Sequence, residues 1–100
     1  MAKAKIKTLP YDSAEYLDSE EAVNAYMEEA ISTDEPALIA KALGTIARAR
    51  GMAQIAKKAG LSRESLYKAL SAEGNPEFGT VIRVMHALDL KFSITAEHAR

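Results

Sequence analysis

The chain contains no cysteine, which excludes a disulfide scaffold, a thiolate metal site and a cysteine nucleophile. Histidine is scarce too, present only as His86 and His98. Neither falls in a metal-ligand spacing such as His-Glu-x-x-His, and Glu97-His98 alone is too common a pair to signal a site. The glycines are dispersed at positions 44, 51, 60, 74 and 79, so no glycine-rich loop is available to cradle a phosphate. Nothing singles out a Ser/His/Asp triad. These absences point away from an enzyme, and neither a cofactor nor a metal is expected. No run approaches about 18 consecutive apolar residues, so no membrane-spanning helix is read. The tip, Met1-Ala-Lys-Ala-Lys-Ile-Lys-Thr8, is basic but leads into Leu9-Pro10-Tyr11-Asp12 without an apolar segment, unlike a secretory signal. The expectation is a cytoplasmic protein.

What is present fits one globular domain: 100 residues, 48% apolar and 27% charged. The net charge of −1 hides an asymmetry. Residues 1–35 carry three lysines against nine acids, a balance of −6, whereas residues 36–100 carry ten bases against five acids, a balance of +5. Between Arg48 and Lys68 there are six bases and the single acid Glu64. Such a split points to partners of opposite charge for the two halves; mutual neutralisation is the plainer alternative.

Hydrophobic periodicity and turn residues divide the chain into helices. A first helix is expected over about 19–32, with Asp18 as its cap and Val23, Tyr26, Met27 and Ile31 at helical spacing. Thr33-Asp34-Glu35-Pro36 ends it, and Asp34 is placed to cap the next helix, which begins at a proline. That second helix, over about 36–49, has an apolar stripe at 38, 39, 42, 43, 46 and 47. Short helices follow over about 52–59 and 62–71, the second capped by Ser62. The last covers about 77–88, with Phe78, Val81, Ile82, Met85 and Leu88 on its buried face. Gly79 weakens its first turn and allows a start as late as Thr80. Leu90, Phe92 and Ile94 then alternate with Lys91, Ser93 and Thr95, the period of a short strand. A lone strand needs a partner. The same strand of a second copy would serve, the alternative being a tail packed on its own domain.

The segment Met52 to Ser71 carries the richest pattern. Ala56 is small where two short helices cross, and Gly60 occupies their turn. Ile55, Ala59, Leu61, Leu66, Ala69 and Leu70 supply apolar contacts. In such a pair the second helix enters the major groove of DNA with its N-terminal residues at the base edges. That assigns Arg63, Glu64, Ser65, Tyr67 and Lys68 as sequence readers. Arg63 can pair with guanine and Glu64 can accept from cytosine. Gln54, Lys57, Lys58 and Ser62 are placed to hold phosphates, with Ser62 able to serve either role.

The run from Ala47 to Ser71, followed by Gly74-Asn75-Pro76, resembles the probable addiction-module antidote family. The resemblance extends from about Tyr11 to Ile94. These are small HigA-like antitoxins with a lambda-repressor-like (Xre/Cro-type) helix-turn-helix. What the resemblance implies is a type II toxin–antitoxin module. The antitoxin would inhibit a RelE/ParE-superfamily toxin, encoded by the adjacent gene, by binding it. It would also repress its own operon as a homodimer on operator double-stranded DNA. A stand-alone Xre/Cro-type transcriptional repressor, such as a prophage repressor with no toxin, is the alternative.

The expected fold class is therefore all-α, a lambda-repressor-like bundle of about five helices with a short C-terminal β-strand that pairs in a dimer. Residues 1–35 form a basic tip and an acidic helical segment, 36–90 the DNA-binding domain, and 91–100 the strand and tail. Tyr16, Leu17, Val23, Tyr26, Met27 and Ile31 form an apolar stripe that either lies in a toxin groove or caps the repressor core. Leu90, Phe92 and Ile94 are the dimer candidates, and two recognition helices would then stand about 34 Å apart. Lys3, Lys5 and Lys7 are either an arm toward DNA or a solvated terminus.

Overall fold

A computed structural model of the chain describes residues 19–71, 73 and 75–97. Within them are five α-helices: α1 Glu20–Ser32, α2 Pro36–Arg50, α3 Met52–Ala59, α4 Arg63–Ala69 and α5 Phe78–Ala87. Among the described residues there is no β-strand.

The caps follow from local chemistry. Ser19 opens α1, its Oγ accepting from the Ala22 N–H at 3.0 Å. It takes the role expected of Asp18, which lies outside the described residues. Two glutamates in the first turn suit the positive end of the helix dipole. Asp34 does not cap α2. It sits in the connecting turn at φ 59°, and Glu35 precedes the helix without a side-chain cap bond. Thr33 organises this turn instead, its hydroxyl donating to the Ala30 carbonyl and accepting from the Glu35 N–H. At α4, Ser62 fills the expected cap and accepts from the Ser65 N–H at 3.0 Å.

Both α1 and α3 pack on α2. Its expected one-sided stripe is therefore too narrow. Ala40 and every residue from Ala42 to Ala47 are buried, whereas Leu38, read as part of the stripe, is 44% exposed. The buried hydroxyl of Thr45 is satisfied, donating to the Lys41 carbonyl and accepting from the Arg48 guanidinium. Gly44 lies close to the end of α4. A Cβ there would lie 3.0 Å from the Leu70 carbonyl oxygen and 3.3 Å from the Leu70 Cβ. A methyl group there would require Leu70 to give by a few tenths of an ångström.

A single core joins all five helices. Leu43, Ile46, Leu66 and Val84 are its fully buried large side chains, each contributing about 1.5–3 kcal/mol by leaving water. Val23 and Met27 of α1 belong to the same cluster, so this helix folds as part of one unit with α2–α5. α5 starts at Phe78, not later, and Gly79 has open space beside it. Phe78 itself is not on the buried face: it is 68% exposed. Helical spacing put it in line with Met85, but a residue in the first turn lies beyond the edge of the core.

The chain after α5 turns through Asp89, at φ 62°, where the Leu90 N–H bonds back to the Met85 carbonyl at 2.8 Å. Leu90, Phe92 and Ile94 do not act there as one apolar face. Leu90 packs on the core, the Phe92 ring stacks on Phe78 at 5.7 Å, and Ile94 is 95% exposed.

Candidate functional site

The α3–α4 pair is built by a series of backbone and side-chain devices. Ala56 is 2% exposed at the crossing of the two helices. Gly60 closes α3 at φ 75°, a left-handed conformation that glycine reaches without a Cβ clash. The Leu61 N–H then bonds to the Ala56 carbonyl at 2.9 Å, and the Leu61 side chain packs on the core. This is the six-to-one bond of a Schellman turn. Ser62 restarts the chain as a helix. Leu66, with no exposure at all, anchors α4 on the core, and Leu70 is buried just beyond its end.

With Leu66 facing inward, the remaining side chains of α4 sort by face. Arg63, Glu64, Ser65, Tyr67 and Lys68 are all exposed, as are Ser62 before them and Gln54, Lys57 and Lys58 on α3. The Arg63 guanidinium lies 6.0 Å from the Tyr67 ring centroid, a cation–π contact between residues one helical turn apart. The Ser62 hydroxyl donates to the Ser65 hydroxyl at 2.9 Å, so both serines are held in the first turn. The exposed face therefore carries Lys57, Lys58, Arg63 and Lys68 against Glu64 alone. One more base joins it from a distance in sequence. Arg83, exposed on α5, brings its guanidinium to 3.7 Å from where a Cβ on Gly60 would stand. No local pattern in the sequence pointed to it, because the turn and α5 meet only in the folded chain.

What this arrangement can do is bind a polyanion. It presents several charge-assisted donors on one short helix pair, with no competing carboxylate cluster beside them. Among the described residues, no group of three His, Cys, Asp or Glu could hold a metal ion. No described helix is long and apolar enough to cross a membrane.

The apolar stripe of α1 is divided. Val23 and Met27 lie in the core, and Tyr26 is half-buried against it. Ile31 is 42% exposed at the far end. Tyr16, Leu17 and the lysines at 3, 5 and 7 lie outside the described residues.

Comparison with known proteins gives this geometry its context. The family model described as "probable addiction module antidote protein" matches residues 7–96, nearly the whole chain. The chain belongs to that family. An uncharacterized protein of Haemophilus influenzae (strain ATCC 51907 / DSM 11121 / KW20 / Rd) is 56% identical over 84 residues, covering 84% of this chain and 87% of the relative. No solved structure matches at a significant level. Membership of an antidote family implies a toxin partner.

Proposed function

We propose that the chain is the antitoxin of a type II toxin–antitoxin module. In this reading it neutralises a RelE/ParE-superfamily toxin by direct binding. It also represses its own operon, in the cytoplasm, by binding operator DNA as a homodimer. The α3–α4 pair acts as a helix-turn-helix of the lambda-repressor, Xre/Cro type. Gln54, Lys57, Lys58 and Ser62 hold phosphates, while Arg63, Glu64, Ser65, Tyr67 and Lys68 face the bases.

The observation that carries the DNA reading is the division of α4. Leu66 is wholly buried while the five reader candidates around it are exposed, two of them bases. Family membership supports the toxin partner. One observation favours the stand-alone repressor: Val23 and Met27 serve the fold itself, so part of the acidic segment has a structural role.

Two measurements test these claims. Co-expression with the product of the neighbouring gene should rescue growth and give a complex stable in high salt. Absence of both toxicity and complex would leave a plain repressor. Arg63→Ala should weaken operator binding by about 1–3 kcal/mol and relax preference at one base pair. Equal losses on operator and random DNA would make Arg63 a phosphate contact instead.

A further inference from the structure

A groove of about 730 Å³ runs between α1 and the segment that follows α5. Val23 and Met27 from α1, with Met85 and Leu88 from the other side, form its floor. These four are at most 6% exposed. Ile31 and Phe92 stand on its two rims at 42% and 45% exposure. The floor is apolar, and each apolar rim keeps a little under half of its surface exposed, Phe92 with its ring stacked on Phe78.

We infer that this groove is the seat for the toxin, taking a segment of it that carries apolar side chains flanked by bases. The inference rests on the antitoxin reading and locates the contact within it. Charge sets the sign of the occupant. Glu20 and Glu28 line the α1 wall, and α1 contains no base. The opposite wall is mixed, with Asp89 between Arg50 and Lys91. The α1 wall, with glutamates and no base, disfavours nucleic acid as the occupant. A second copy is disfavoured too: a two-fold dimer burying the groove would draw both glutamate-rich helices into one interface. A basic segment gains on both counts, its cations against α1 and its apolar side chains against the exposed rims Ile31 and Phe92.

The groove shares no residue with the nine assigned to DNA. Occupation of one therefore leaves the other open, and toxin and operator are expected to bind one chain together.

The test uses the full chain, the purified product of the neighbouring reading frame, and an operator fragment. Ile31→Glu and Glu28→Lys alter only exposed positions of the rim and wall. Each is expected to weaken toxin binding about tenfold or more, with thermal midpoint and operator retardation unchanged. Toxin affinity equal to that of the parent chain in both variants would overturn the groove while leaving the antitoxin reading intact. A fall in the mass of the toxin-free chain on either substitution would assign the groove to a second copy, and also overturn it. Failure of the parent chain to bind the neighbouring product would overturn the antitoxin reading and the groove with it.

Discussion

α1 and the α3–α4 pair are attached to the same core and face solvent with opposite charge. α1 has four glutamates and no base over 13 residues. The α3–α4 pair has four bases and one acid. Both spend apolar side chains on the core, Val23 and Met27 in one case and Ile55, Ala56 and Leu66 in the other. Fold stability therefore does not distinguish them; the outward residues do. In one domain of this size, two partners of opposite charge can be served by assigning each its own helix face. The shared interior keeps the faces in a fixed relation.

The strongest challenge to this comparison is a substitution in that interior. Leu66→Ala should cost about 2–5 kcal/mol of stability, read by chemical denaturation, and lower toxin and DNA binding together. Retained toxin binding after loss of α4 would show that the two regions fold separately. Gly44→Ala comes next, at about 1–3 kcal/mol, because the new Cβ meets the Leu70 carbonyl at 3.0 Å. Its effect should fall more heavily on operator affinity, since Leu70 caps α4, the helix proposed to face the bases. The two serine caps then offer a matched pair. Ser62→Ala and Ser19→Ala should each cost about 1 kcal/mol, the first weakening DNA binding and the second leaving it alone. The smallest effect has the opposite sign. Gly79→Ala meets nothing within 4 Å and should raise the thermal midpoint, by about 0.5–1 kcal/mol of added helix stability. It should leave both binding functions unchanged.

The first helix of the pair and the turn after it were legible in the sequence to the residue, whereas the second helix, expected over about 62–71, spans only Arg63–Ala69. Met52–Ala59 appears at its expected limits, and the left-handed Gly60 and capping Ser62 fill the roles assigned to them. Local chemistry decides such features, so a short window contains the needed information. Gly44 shows the other case. Nothing near it in sequence announces Leu70, and its smallness has meaning only once α2 and α4 meet. Phe78 and Leu38 fit helical periodicity yet stand in solvent, because period gives the face of a helix and not where the core ends along it. Asp34 shows how a good cap residue can be taken by a competing left-handed turn. The alternation of Leu90, Phe92 and Ile94 was read as a strand, but a strand's backbone bonds come from a partner. In the single chain those three side chains go to three different environments.

The brevity of α4 limits what one copy can address. Seven residues make a rod about 10 Å long, and duplex DNA rises about 3.4 Å per base pair. If α4 reads the bases, its reach is a word of about three base pairs. A word so short recurs throughout a genome that offers on the order of 10⁶ competing positions or more. Leu70, pressed against Gly44, closes the route to a longer word by simple extension of the helix. On the proposed reading, greater information content would come from a second word at a fixed interval, read by a second copy of the chain.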